Sequence, residues 1–66
     1  MFDNKKLTKL RTKARLSQES LAHAAGLTTQ AVARLERGHS SPHFLTVCVL
    51  ADALGTTLNN LRKKSL

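Results

Sequence analysis

Aromatic residues, acids and cysteine are scarce in this sequence. Tryptophan and tyrosine are absent and phenylalanine occurs twice, so the core of any fold has to be built from aliphatic side chains. The single cysteine, Cys48, cannot form a disulfide within the chain, which favours a reducing compartment. No apolar run reaches the roughly 18 residues of a membrane span, and the first residues, MFDNKKL, lack the apolar centre of a signal peptide. We therefore expect a cytoplasmic protein that does not enter a membrane.

Acidic residues are outnumbered by basic ones. Four acids oppose 11 lysines and arginines, which gives a formal net charge of +7 on 66 residues. That balance favours a polyanionic partner, although a solvated basic surface would have the same composition. The acids are too scattered for a paired-carboxylate site, and the chain has neither a glycine-rich phosphate loop nor a nucleophile motif. We therefore do not expect an enzyme.

The sequence offers little support for a metal site. His39, His43 and Cys48 are the residues that suggest one, but their spacing matches no zinc-binding pattern. Pro42 interrupts the group, and Cys48 falls on the predicted core face of its helix. We expect no metal and no other cofactor.

Five periodic segments separated by turn residues run along the chain. In the first, Leu7, Leu10 and Ala14 are three and four positions apart, which is the spacing of one helix face. The fourth follows a loop rich in serine, with Ser41 as its predicted N-cap and Pro42 in its first turn. The sequence thus predicts an all-α, compact single domain over residues 1–66, with five helices at about 5–15, 18–25, 29–37, 42–54 and 58–63.

The segment from Gln18 to Gly38 contains a glycine inside a helical pattern. In one continuous helix, Gly26 would cost about 1 kcal/mol relative to alanine, and the threonines after it would have no role. In two helices joined by a tight turn, Gly26 ends the first helix and Thr28 caps the second. This second interpretation predicts a helix-turn-helix, in which the second helix is presented outward.

With its helices in this order, the chain resembles the lambda-repressor and Cro type of helix-turn-helix protein, the XRE-like family. The resemblance covers roughly Lys5 to Leu61 and includes LRTKARLSQ upstream and TVCVLADALGTTLNNL downstream. The matching residues are Gln18, Ala22, Gly26, Val32, Leu35 and Glu36, followed by Gly38. The resemblance implies a bacterial or phage regulator of transcription, most simply a repressor that binds an inverted repeat in double-stranded DNA as a dimer.

The third predicted helix carries the candidate base-reading residues. A rotation of about 100° per residue turns Val32 and Leu35 inward. The outward residues that we predict to read bases are Thr29, Gln30, Ala33 and Arg34. The amide of Gln30 can pair bidentately with adenine and the guanidinium of Arg34 with guanine, and the resemblance assigns base reading to Thr29, Gln30 and Arg34. The alternative is an ordinary solvated helix face.

Other residues are predicted to contact phosphates or to support the fold. The start of the second helix suits a phosphate, and the resemblance assigns that contact to Gln18. The other predicted phosphate contacts lie near the two ends of the third helix and are Thr28, Arg37, His39, Ser40 and His43. The resemblance further implies that Arg11 and Glu36 form a structural ion pair.

The fourth predicted helix carries more apolar surface than one face needs. Phe44 belongs to the cluster on the core side, whereas Leu45 and Val49 lie on the other side. Either the fifth helix and the tail cover this second side, or a partner does. Since the resemblance implies dimers that form near the fifth helix, the predicted partner surface comprises Leu45, Val49, Leu58, Leu61 and Leu66.

Two other functions are compatible with the sequence. A protein-interaction module, such as an antitoxin that neutralises a toxin, is the main alternative, because many antitoxins carry the same DNA-binding domain. The short tail RKKSL disfavours a long toxin-wrapping segment, whereas Leu45 and Val49 favour a partner. The other alternative is a domain of a larger regulator, and against it the initial methionine favours a whole protein.

Overall fold

Four α-helices and one 3₁₀ turn make up the computed structural model, which describes residues 2–39 and 41–62. The elements are α1 (Asn4–Lys13), α2 (Gln18–Ala25), α3 (Thr29–Arg37), α4 (Phe44–Leu54) and the 3₁₀ turn Leu58–Leu61. In these two ranges the β pairing is limited to one isolated bridge between Phe2 and Arg62. The predicted all-helical fold class is therefore confirmed.

The prediction of a fifth α-helix is wrong, because that segment forms only the short 3₁₀ turn. Side chains three positions apart lie on the same side of a 3₁₀ turn, so Leu58 and Leu61 both pack against the core. Arg62 then has extended backbone, with φ −95° and ψ 139°, and pairs with Phe2. The Asp3 amide also donates to the Leu61 carbonyl at 2.7 Å. These contacts tie the two ends of the described chain together.

Helix α1 is shifted from its predicted range of 5–15. It begins at Asn4 because the Asp3 side chain caps it and accepts a hydrogen bond from the Lys6 amide at 3.0 Å. It ends at Lys13, and Arg15 adopts a left-handed backbone with φ 60° that cannot continue the helix.

Helix α4 starts later than the predicted 42–54. Its N-cap is His43 rather than Ser41, and the His43 side chain makes no capping hydrogen bond. Pro42 stays outside the helix and lines an apolar groove. Phe44 becomes the first residue of α4 and is 69% exposed, so its predicted place in the core is wrong.

The core is aliphatic, as the composition requires. Leu7, Leu21, Val32 and Leu50 come from the four α-helices and have no exposed surface, and Leu61 joins them from the 3₁₀ turn. Burial of one aliphatic side chain contributes about 1.5–3 kcal/mol. Because Val32 anchors α3 on its inner face, the opposite face of that helix is left for solvent or a ligand.

The turn between α2 and α3 has the form predicted from Gly26. This glycine has φ +73°, and the Leu27 amide after it donates to the Ala22 carbonyl at 2.8 Å. Thr28 then caps α3, since its hydroxyl accepts a hydrogen bond from the Ala31 amide at 3.1 Å. The structure therefore has two helices joined by a turn, as predicted, with α2 at Gln18–Ala25 and α3 at Thr29–Arg37.

The end of α3 is held against the start of α1. Gly38 ends α3 with φ +76°, and the Asn4 amide Nδ2 donates to the Glu36 carbonyl at 3.0 Å. A Cβ placed on Gly38 would lie 3.2 Å from that same nitrogen. The glycine thus provides the left-handed turn and also the space for the Asn4 side chain.

We predict that Gly38→Ala destabilises the protein more than Gly26→Ala. Both changes place a Cβ on left-handed backbone, which costs about 1–2 kcal/mol. Only Gly38→Ala brings the new Cβ close to another side chain, that of Asn4, because nothing lies within 4 Å of a Cβ at Gly26. The extra cost should equal one lost hydrogen bond of Asn4, about 1 kcal/mol. Urea denaturation measures the free energy of unfolding of both variants, and the extra cost of Gly38→Ala should vanish in an Asn4→Ala background. Equal costs of Gly38→Ala and Gly26→Ala in the wild-type background would contradict this contact.

Candidate nucleic-acid interface

The outer face of α3 presents polar and basic side chains to solvent. Thr29, Gln30, Arg34 and Arg37 are exposed, and the last three line one surface groove of about 420 Å³. Positions four and seven apart recur on one side of a helix, which explains why these three meet. The structure thus brings together on one face most of the residues predicted to read bases.

Ala33 and the predicted phosphate contacts are placed less uniformly. Ala33 is half-buried on α3, so only part of its methyl group faces outward. Gln18 is half-buried at the start of α2. The exposed members of the phosphate set are Thr28, Arg37, His39 and His43, while Ser40 lies outside the described residues.

The carboxylate of Glu36, in the last turn of α3, is the centre of a polar network. Arg11 donates to it through one edge of the guanidinium, with Nε–Oε2 at 2.5 Å and Nη2–Oε1 at 3.1 Å. Gln18 donates from Nε2 to Oε1 at 3.0 Å. The side chains of the ion pair are 15% and 7% exposed for Arg11 and Glu36, so both ends are largely shielded from water.

Two backbone contacts extend this network. Arg11 also donates from Nη1 to the Leu16 carbonyl at 2.8 Å, just before α2 begins. Asn4 donates to the Glu36 carbonyl, as described above. The Glu36 network, defined as Asn4, Arg11, Gln18 and Glu36 with the Leu16 carbonyl, therefore joins α1, α2 and α3.

The network lowers the pKa of its central group, the carboxyl of Glu36. Burial by itself raises the pKa of Glu36, because it disfavours the charged carboxylate. The hydrogen bonds from Arg11 and Gln18, followed by the charge of Arg11, outweigh burial and hold the pKa of Glu36 below its ordinary value. Glu36 is therefore ionised in the folded protein at neutral pH.

Sequence reasoning anticipated only part of this network. The Arg11 and Glu36 pair follows from the family resemblance, and the structure has it. The bond from Gln18 to Glu36 and the bond from Asn4 were missed, because each joins residues on different helices. Nothing in the local spacing of the sequence indicates such tertiary contacts.

The predicted partner surface has to be redrawn. Leu45 is 75% exposed, as predicted, but Val49 is half-buried and packs against the core. Leu61 is fully buried, so its assignment to a partner surface is wrong; the 3₁₀ turn directs it inward. Leu58 is half-buried beside it, and Leu66 lies outside the described residues.

Leu58 of the predicted partner surface lines an apolar groove. The groove has a volume of about 540 Å³ and lies between the N-terminal end of α4 and the 3₁₀ turn. Its apolar walls include Phe2, Pro42, Phe44, Val47 and Leu58. Both phenylalanines of the chain therefore lie at this groove.

In residues 2–39 and 41–62, no three histidine, cysteine or acidic side chains come together as a potential metal site. No helix in the same part of the chain is long and apolar enough to cross a membrane.

One family model matches most of the chain. The model described as Helix-turn-helix, HTH_3, matches residues 7–61. This range runs from within α1 to the last residue of the 3₁₀ turn, so it contains α2, α3 and α4 entirely. No curated protein sequence matches the chain.

Solved structures are similar to the chain as well. The restriction-modification controller protein C.AhdI from Aeromonas hydrophila is 36% identical over 89% of both chains, with a TM-score of 0.87. An HTH_3 family transcriptional regulator from Vibrio cholerae is 28% identical with a TM-score of 0.82, over 86% of this chain and 32% of its own. The P22 c2 repressor bound to a synthetic operator has a TM-score of 0.84 over 94% of this chain and 96% of its own. At 21% identity, this last likeness shows a shared fold alone.

We predict that Glu36 makes stability depend on pH. Because its pKa is lower in the folded than in the unfolded chain, the network stabilises the protein fully above the ordinary value of 4.5. This contribution is lost as the pH falls through the lower folded value. Glu36→Ala should lower the free energy of unfolding at pH 7 by about 3 kcal/mol, since it leaves Arg11 without its partner.

The pH dependence distinguishes the ion pair from packing. Between pH 6 and pH 3, the free energy of unfolding should fall for the wild type and change much less for Glu36→Gln, which cannot ionise. Glu19→Gln is the matched control, because Glu19 is exposed and should leave the wild-type slope unchanged. Thermal melts by circular dichroism at each pH measure the slopes; parallel profiles for the wild type and Glu36→Gln would overturn the assignment.

Proposed function

This chain belongs to the HTH_3 family of helix-turn-helix proteins, and from that membership we propose that it is a sequence-specific, DNA-binding regulator of transcription. One observation carries the proposal, namely the exposed face of α3 on which Gln30, Arg34 and Arg37 share a groove. The similarity to a restriction-modification controller protein at 36% identity supports the same class of function. A formal net charge of +7 adds attraction to the DNA backbone.

In this proposal α3 enters the major groove. Its nine residues span about 13 Å, and a helix of ordinary diameter fits a groove about 12 Å wide. Gln30 pairs with adenine and Arg34 with guanine through two hydrogen bonds each. Thr29, in the first turn, contacts a base edge or a thymine methyl group, and the half-buried Ala33 permits close approach.

Phosphate contacts on both sides of the groove fix the position of α3. Gln18 lies at the start of α2, where the helix dipole favours an anion. Thr28 and Arg37 lie at opposite ends of α3, and the exposed His39 and His43 follow it. Ser40 completes the set as a prediction from the sequence. Such contacts orient the protein and carry no sequence information.

The apolar groove at the start of α4 supports a homodimer. In a symmetric dimer, the same patch of each copy contacts that patch of the other copy. The patch therefore needs both projecting side chains and a recess that receives the side chains of the other copy. Phe44 and Leu45 project from the protein at 69% and 75% exposure, and the groove beside them is the recess. A dimer of this kind reads an inverted repeat with half-sites about 34 Å apart, and the simplest outcome at a promoter is repression.

We predict that Arg34→Ala changes the sequence preference of the protein. Selection from random duplex DNA at physiological salt, followed by sequencing, should yield an inverted repeat for the wild type. Arg34→Ala should lose the preference at one base pair in each half-site and about 1–3 kcal/mol of affinity. Arg37→Ala is the matched control with the same loss of charge on the same helix. Arg37→Ala should weaken binding to all duplexes alike. If Arg34→Ala also weakens binding to all duplexes and keeps the sequence preference, Arg34 is a phosphate contact and not a base-reading residue.

We predict that Phe44→Ser combined with Leu45→Ser produces a folded monomer. Both side chains are mostly exposed, so the melting temperature should change little, whereas the mass by light scattering should halve. Affinity for the full inverted repeat should fall while affinity for one half-site is kept. Ala24→Ser, on the exposed side of α2, is the control. A wild type that stays monomeric at high concentration and binds with one copy per repeat would refute the dimer, and co-purification with a second protein would favour an antitoxin-like partner instead.

A further inference from the structure

The amide of Gln18 is held by Glu36 before any DNA is present. Gln18 donates from Nε2 to Oε1 of Glu36 at 3.0 Å, and this same oxygen accepts from Arg11. We propose that Glu36 is a positioning residue for DNA-backbone binding, which orients the Gln18 amide so that it donates to a phosphate. The inference rests on the proposed function and adds a role for Glu36 that goes beyond holding the fold together.

The chemistry of the two groups fixes the orientation of the amide. An ionised carboxylate accepts hydrogen bonds and donates none, so it binds the nitrogen end of the Gln18 amide and repels the oxygen end. Nitrogen Nε2 carries two hydrogens, and the bond to Glu36 uses one of them. The second N–H remains available at the first residue of α2, where the helix dipole favours a phosphate. Without Glu36, the amide can turn and present its carbonyl oxygen, which repels a phosphate.

Arg11 is needed to neutralise the charge of the Glu36 carboxylate. A free carboxylate close to a phosphate would oppose DNA binding through like charge. Here the guanidinium of Arg11 bonds to both oxygens of Glu36 and neutralises that charge, and the pair is largely shielded from water. The carboxylate can therefore direct Gln18 without repelling the DNA backbone.

A purely structural Glu36 predicts different behaviour. If the residue only holds helices together, its substitution and that of Gln18 act independently, and their effects on DNA affinity add. If Glu36 positions the amide, the contribution of Gln18 depends on the residue at position 36. A double-mutant cycle in DNA binding separates the two cases.

The experiment measures dissociation constants by fluorescence anisotropy. The probe is the duplex most enriched in the selection described above, at a temperature where circular dichroism shows every variant folded. Gln18→Ala should weaken binding about tenfold in the wild-type background, as expected for one hydrogen bond to a charged group. In a Glu36→Gln background, the same change should weaken binding less than twofold. Glu36→Asp, which withdraws the carboxylate, is the second background if Glu36→Gln does not fold.

Two controls and one salt series complete the test. Gln30→Ala removes a glutamine that lies in the groove on the outer face of α3, outside the Glu36 network, so it should weaken binding equally in both backgrounds. Glu19→Gln removes a negative charge from the same region of α2 and should leave the effect of Gln18→Ala unchanged. Because an amide neutralises no charge, Gln18→Ala should not change the slope of log Kd against log salt.

The outcomes separate this inference from the proposed function. Equal effects of Gln18→Ala in the wild-type and Glu36→Gln backgrounds would overturn the positioning role and leave the regulator intact. No effect of Gln18→Ala in the wild type would also overturn it, since Gln18 would then make no backbone contact. Failure of the wild type to enrich any duplex would instead contradict the proposed function itself.

Discussion

The ion pair between Arg11 and Glu36 is the interaction on which the rest of the structure depends. It joins the end of α1 to the last turn of α3, and Gln18 brings the start of α2 to the same carboxylate. A domain of 66 residues has a small core and limited stability of its own. A shielded polar network that fixes three helices at one point therefore contributes strongly to a unique arrangement of α2 and α3. Breaking one side of such a pair leaves an uncompensated charge, which is why its substitutions are costly.

The Glu36 network lies at the C-terminal end of α3, the helix that we propose to bind DNA. Core contacts of Val32 and Leu35 hold the inner face of α3, and the network holds its C-terminal end. The outer face is exposed, so Gln30 and Arg34 are accessible to a ligand. Rigid elements place hydrogen-bonding groups more precisely than loops do, and base reading requires that precision. The carboxylate of Glu36 thus bonds both to Arg11, which holds the fold together, and to Gln18, which we propose to contact DNA.

The sequence predicted the elements whose signals are local. Gly26 and Thr28 delimit the end of α2 and the start of α3, because each acts within a few residues of its own position. The elements that depend on distant partners were not predictable in this way. The 3₁₀ turn ends where Arg62 pairs with Phe2, a contact between the two ends of the described chain. The bond between Gln18 and Glu36 and the burial of Leu61 likewise follow only from the packing of helices. Sequence periodicity indicated which face of α3 is exposed but not what holds that face in place.

Titration of the ¹⁵N-labelled protein with the enriched duplex, followed by NMR, tests the central claim most directly. The account predicts that the largest shifts fall on the α3 residues Gln30 and Arg34 and on the side-chain NH₂ group of Gln18. Residues in the C-terminal half of α4 should change little. Large shifts confined to α4 and the 3₁₀ turn, with α3 and Gln18 unchanged, would contradict the claim that this helix-turn-helix reads DNA through α3.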